Sequence, residues 1–167
     1  MDASKQTKRR TIKLFTIGFT QKTAEEFFTL LKDAGVRRVV DVRLNNNSTL
    51  LGFTRQAHLP YLLSEIAGIG YEHMPDLAPD DDILADWKLK AKAKKAGKKP
   101  ITWAEYKTRF ARLIRKRKIE TLVTPYDLDH GCLLCSEPTP ENCHRGLVAE
   151  YLRDKWSDRV VVEIIHL

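Results

Sequence analysis

Hydrophobic positions recur along the chain with two periods, and the switches between them mark out the elements. "TIKLFTIG" (Thr11–Gly18) is a short apolar run rich in β-formers and closed by Gly; it predicts a strand. "TAEEFFTLLKDAG" (Thr23–Gly35) has helical spacing. Ala24, Phe27 or Phe28, Leu31 and Ala34 form its inward stripe, Thr23 and Glu26 have capping-box spacing, and Gly35 suits the position after the last turn. "VRRVVDVR" (Val36–Arg43) follows at once as a second strand, so a parallel strand pair with a right-handed crossover is expected. After the polar loop "LNNNSTLLGF", Ala57–Gly70 predicts a helix that Pro60 can begin. "GYEHM" suits a third, short strand, and the "DDD" run can cap a short helix behind it.

"TWAEYKTRFARLIRKRK" (Thr102–Lys118) repeats the capping-box spacing with Thr102 and Glu105. Trp103, Tyr106, Phe110 and Leu113 share one face, and Arg109, Arg112 and Lys116 share another. "GCLLCSE" (Gly131–Glu137) predicts a buried strand running into a loop. Thr139–Trp156 predicts a helix with Thr139 as N-cap and Pro140 in its first turn. "RVVVEIIHL" (Arg159–Leu167) is apolar almost throughout, the pattern of a central parallel strand. The alternation predicts a single α/β domain over residues 11–167: a three-layer sandwich around a mainly parallel central sheet.

Charge changes this picture in one place. Between Lys88 and Lys118 stand 14 Lys or Arg and one acid, a charge of +13; the rest of the chain carries 15 basic and 21 acidic residues, or −6. A mildly acidic body with one basic segment points to a polyanion partner, nucleic acid or a phosphate-bearing small molecule. A solvated surface of lysines is the alternative. Residues 88–100 read as a Lys-rich insertion and residues 1–10 as a basic, flexible tail. No apolar run is long enough for a membrane span, and the basic start lacks the apolar stretch of a secretory signal. Three cysteines, an odd and low number, suit free thiols in a reducing compartment, so a cytoplasmic location is expected.

In open parallel sheets ligands bind beyond the carboxyl ends of the strands. The first strand delivers Gly18 there, the second Asp41 and Arg43, the third Tyr71 and His73, the fourth Cys135 and Glu137. The last helix opens with Cys143, His144 and Arg145. A helix N-terminus attracts anions and favours a nearby thiolate, so Cys135 is the candidate nucleophile, with His144 or Glu137 to move a proton. Each residue also has a plainer role. Cys132 suits a small core filler, Cys143 shares a helical row with Leu147 and Tyr151, Asp41 can pair with a nearby Arg, and Glu137 can pair with Arg145. Cys135, Cys143 and His144 supply metal-ligand types, but neighbours within a helix project about 100° apart. Cys143 and His144 are therefore not expected to share an ion, and no metal or cofactor is expected. No Gly-rich dinucleotide or P-loop motif is present.

"TIGFT", "VVDVR", "GIGYEHMPDL" and "LLCSEPTPENCHR", in this order, resemble the family known as domain of unknown function 488. The resemblance implies motif positions at Gly18, Asp41, Arg43, Ser48, Tyr71, Cys135, Glu137, Cys143, His144 and Arg145, and it leans toward nucleic-acid processing. The chain departs from the family pattern at "LNNNS" and "DLAPD". A lesser likeness is to rhodanese domains, through "VVDVR" and a Cys at a strand tip, although "SEPTPEN" is longer than their anion loop. Three functions are therefore expected to compete. The first is an enzyme acting on nucleic acid or a nucleotide at the rim. Asp41, Arg43, Cys135, Glu137, Cys143, His144 and Arg145 would be its centre, and Gly18, Ser48, Tyr71 and His73 would hold substrate. Lys94, Lys95, Lys98, Lys99, Arg109, Arg112 and Lys116 would lie along the backbone, with Trp87 and Trp103 as stacking candidates. The second is a non-catalytic binding module, and the third a rhodanese-like cysteine enzyme handling sulfur or phosphate.

Overall fold

In the computed structural model, which describes residues 9–47, 51–89 and 100–167, five parallel strands form one sheet in the order β3-β2-β4-β1-β5. In chain order the elements are β1 (Arg10–Gly18), α1 (Ala24–Asp33), β2 (Arg38–Asp41), α2 (Leu59–Ala67) and β3 (Gly70–His73). They continue with α3 (Asp81–Lys88), α4 (Trp103–Arg117), β4 (Gly131–Cys135), α5 (His144–Lys155) and β5 (Val160–His166). Ser48 and the lysines 94, 95, 98 and 99 lie outside the described residues.

Strand residues alternate between two cores, as the period of two requires. On one face Phe15, Ile17, Val39, Cys132 and Leu134 pack against α1 and α2 through Phe27, Phe28, Leu31, Leu59 and Leu63. On the other Ile12, Leu14, Val40, Leu133 and Cys135 meet α3, α4 and α5 through Ile83, Tyr106, Phe110, Ile114, Val148 and Leu152. The three-layer α/β fold expected from the alternation is thus present, and Cys132 is the core filler its context suggested.

The helix ends follow the sequence signals. Thr23–Glu26 and Thr102–Glu105 form complete capping boxes, and Asp80, first of the "DDD" run, caps α3. Gly35 takes φ +71° just past α1, where a side chain would be strained.

Three expectations are corrected. β1 and β2 are parallel but not neighbours, because β4 inserts between them and pairs with both. The chain's last strand is an edge, not the centre. Among the described residues β5 pairs with β1 alone and leaves Val161 exposed, whereas β4 is buried at every position. An apolar run shows that a strand is covered on its faces, and it does not show where the strand sits in the order. The last helix begins at His144 and not near Thr139. Asn142 is left-handed (φ 57°), and Cys143 is extended (φ −125°, ψ 137°), so the backbone turns once through Pro140 before the helix starts.

The sheet leaves α4 as the cover of the site-bearing face, which gives a stability ranking. Phe110→Ala removes a fully buried ring and is expected to cost about 3–5 kcal/mol. Thr102→Ala removes only the cap and is expected to cost about 1 kcal/mol. Urea unfolding of the two variants measures both.

Candidate active site at the carboxyl rim of the sheet

β4 ends at Cys135 between the ends of β1 and β2, in register with Gly18 on one side, and one residue past Leu134, the partner of Asp41. The chain then leaves the sheet, turns, and comes back to start α5. Gly18 permits the return. A Cβ built on it would lie 1.6 Å from the Glu137 carbonyl oxygen, so no side chain fits. Arg145, fully buried, ties the loop from within: its Nη1 donates to the Glu137 carbonyl (2.7 Å) and to Cys143 Sγ (3.2 Å). The expected Glu137–Arg145 ion pair is not formed: Arg145 holds the Glu137 backbone carbonyl instead, and the Glu137 side chain faces solvent.

The result is a buried cluster. Cys135 Sγ lies 3.6 Å from His144 Nδ1, and one donor atom each from Cys135, Cys143 and His144 all fall within 4.8 Å of one another. The objection that Cys143 and His144 point apart holds only inside a helix. Cys143 precedes α5 with an extended backbone, so the two side chains converge. His144 is held on two further sides. Its Nε2 donates to the Val42 carbonyl at 2.7 Å, which leaves the Nδ1 lone pair for Cys135, and Phe110 stands edge-on to its ring.

The environment separates the two thiols. The Cys143 thiol donates to Cys135 and lowers its pKa, helped by the backbone N–H groups of Ser136 and Glu137 and by the Arg145 charge. The same bond, with burial, raises the pKa of Cys143. Burial lowers the pKa of His144, which is therefore neutral. Cys132, on the opposite face of the sheet, is raised by burial.

Asp41 and Arg43 form a second buried unit. Asp41 accepts from Arg43 Nε (2.8 Å), Arg43 Nη2 (2.7 Å) and the Tyr71 hydroxyl (2.7 Å), and from the Arg43 backbone N–H (3.2 Å). Arg43 also donates to the Thr54 carbonyl and lies over the Phe19 ring. His73 donates to the Arg43 carbonyl, and Asn46 donates to Tyr71. Tyr71 is raised by burial and by its bond to Asp41, so it remains a phenol. This network fixes the loop after β2, which then faces the cysteine cluster. Asn46, Thr54 and Phe19 belong to it and carry no sequence signal beyond a polar run and an apolar tip.

A cavity of about 250 Å³ opens in front of the cluster. Cys135, Cys143, His144, Ser136, Glu137 and Asn142 form one wall; Arg43, Leu44 and Asn45 form another; Leu84, Trp87, Lys88 and Tyr106 close it from α3 and α4. Tyr106 is the residue the sequence reading placed only in the core; it packs there and also lines the cavity. Of the cations on α4, Arg109 is paired with Asp86 (2.5 Å), and Arg112 and Lys116 are exposed. Gly18, Tyr71 and His73 sit at the rim but are engaged with protein groups, Gly18 by its close approach to Glu137.

Three substitutions separate these roles. Gly18→Ala forces the Glu137 carbonyl away and is expected to cost about 3 kcal/mol or more, the upper end for overpacking. Asp41→Asn strands the buried Arg43 charge and is expected to cost about 3–5 kcal/mol, against about 1.5–3 kcal/mol for Tyr71→Phe, which removes one bond to the same carboxylate. Denaturant midpoints at constant m-value give all three.

A family model described as "Domain of unknown function DUF488" matches residues 23–152. No curated protein and no solved structure matches the chain. The matched span starts after the Gly18 strand and takes in Asp41, Arg43, Tyr71, His73, Cys135 and the Cys143-His144-Arg145 run. The chain belongs to the family described as domain of unknown function DUF488.

Proposed function

We propose that the chain is an enzyme of the reducing cytoplasm that acts on a nucleotide unit, free or within a nucleic acid, in the rim cavity. Cys135, Cys143 and His144 form its reacting centre. One observation carries the reading: the cavity that exposes this cluster is closed on its far side by Trp87 and Lys88, where the +13 segment begins. The proposed reacting atoms and Lys88, the first cation of that segment, thus line one cavity. Trp87 gives the cavity an aromatic wall, backed by Tyr106, which is buried against Trp103 and Trp87, and Asn45 and Asn142 add amide groups to the lining. Stacking and edge recognition of a base need groups of these kinds. Arg112 and Lys116 extend the positive surface along α4. Asp41, Arg43 and Arg145 serve this site by position: Asp41 and Arg43 pair with each other, and the buried Arg145 holds the Glu137 carbonyl and the Cys143 sulfur through Nη1 while its Nε has no partner among the described residues. Among the described residues no helix is long and apolar enough to cross a membrane, and all three thiols are free.

A second reading has one observation in its favour. The Ser136 and Glu137 backbone N–H groups help to lower the pKa of Cys135, and a favoured thiolate also suits transfer of sulfur or phosphate through a cysteine, as in rhodanese-like chemistry. The binding-module reading needs only the basic segment and gives the cluster no task.

Binding of short single- and double-stranded DNA and RNA, measured by fluorescence anisotropy at two salt concentrations, tests the main reading. Binding should fall steeply with salt. Neutralising Lys94, Lys95, Lys98 and Lys99 to Gln should weaken it for all sequences alike and flatten the log–log slope by up to about 3–4. No binding at low salt, or an unchanged slope in the variant, removes the backbone contact. Mass analysis of the bound oligonucleotide then separates enzyme from module. A covalent change made by the wild type and not by Cys135→Ser supports an enzyme; binding without any change in either supports the module.

A further inference from the structure

We infer that Cys135, Cys143 and His144 are the three protein ligands of a zinc-class divalent metal centre whose fourth position opens into the rim cavity. The inference rests on the cluster itself and not on the nucleotide reading.

Four observations converge on it. The donor set is two sulfurs and one imidazole nitrogen, the soft and borderline ligands that zinc takes. The spacing fits. Zn–S of about 2.3 Å and Zn–N of about 2.0–2.1 Å in a tetrahedron place sulfur and nitrogen about 3.5–3.6 Å apart, and Cys135 Sγ lies 3.6 Å from His144 Nδ1. Cys143 Sγ completes a triangle in which every donor pair lies within 4.8 Å. His144 is oriented as a ligating histidine is. Its Nε2–H is bonded to the Val42 carbonyl, so the lone pair on Nδ1 is directed at the cysteines. Finally, Arg145 Nη1 donates to Cys143 Sγ from a fully buried position, a bond that strengthens with a thiolate acceptor.

All three ligands line the same cavity, which gives the centre the open form of a catalytic site and not the closed four-ligand form of a structural one. Two thiolates and a neutral imidazole balance the 2+ ion. The Arg145 charge then remains, and it favours an anion, hydroxide or a phosphoryl oxygen, in the fourth position. Cys132 takes no part, because it packs on the other side of the sheet.

The test uses the full chain, purified with reductant, chelator-stripped, and titrated with Zn²⁺ or Co²⁺ alone. About one ion should bind per chain. The Co²⁺ form should show thiolate-to-cobalt charge transfer and the intense visible bands of a tetrahedral site. Cys143→Ser should lose the charge-transfer intensity and weaken zinc at least tenfold, while Cys132→Ser keeps both. A measurement on the wild type guards against misfolded variants: Zn²⁺ should protect Cys135 and Cys143, and not Cys132, from alkylation in a way that chelator reverses. Reduced wild-type protein without cobalt–thiolate bands, or with bands unchanged in Cys143→Ser, overturns the inference. Loss of nucleic-acid binding with the cobalt bands intact defeats the nucleotide reading alone; absent bands with nucleic-acid binding intact defeat the metal centre alone.

Discussion

The site depends on one return of the chain. β4 carries Cys135 out of the sheet, and eight residues later Cys143 must stand beside it. A loop of that length closes at modest entropic cost only if its course is fixed. Two groups fix it. Gly18 leaves the space that the Glu137 carbonyl fills, and Arg145 holds that carbonyl and the Cys143 sulfur with one nitrogen. The Thr20 N–H, bonded to the Ser136 carbonyl, extends the β1–β4 ladder into the loop. The thiols meet because a strand end with no side chain and a buried guanidinium leave the loop no other route.

A second constraint faces the first. The Asp41–Arg43 pair is buried with side-chain exposures of 0% and 4%, where desolvation opposes an ion pair unless its remaining hydrogen-bonding groups are satisfied. Here the carboxylate accepts from the guanidinium at both oxygens and from Tyr71, and the guanidinium reaches the Thr54 carbonyl. The network links β2, β3 and the Gly52–Thr54 turn, elements of only three or four residues each. Val42, the residue between the two members of the pair, supplies the carbonyl that orients His144. The ion pair thus flanks the backbone group that holds the cluster's imidazole.

The sequence carried the elements better than their arrangement. Both capping boxes, the Gly35 stop and the alternation of strands and helices are local signals, and each has a local physical cause. Strand order is not local. Nothing in "VVDVR" or "GCLLC" says that β4 passes between β1 and β2, and the apolar β5 owes its composition to the helices over it and not to neighbours on both edges. The rim residues were legible as a set, since strand ends in a parallel sheet must converge. Their roles were less so. A proline at position 140 reads as a helix start, yet left-handed Asn142 postpones the helix to His144. That shift of one turn changes Cys143 from a helical neighbour of His144 into its partner.

The same shift alters what the "CHR" run is for. Its arginine is spent inside the protein, on a carbonyl and a sulfur, and the arginine of "DVR" is spent on Asp41 and Thr54. A cluster that looks cationic in sequence therefore offers little free guanidinium to a ligand. What it offers is a polarised group of two thiols and an imidazole, backed by positive charge and opened to solvent through a cavity with aromatic and amide walls. The charge that could gather a polyanion lies elsewhere, on the exposed cations of α4 and the lysines before it. Among the described residues, Trp87 and Lys88 are where the basic segment reaches the wall of the cavity that holds the cluster. On the proposed nucleotide reading, a substrate that used both would extend past the cluster, whereas a small anion would contact the cluster alone.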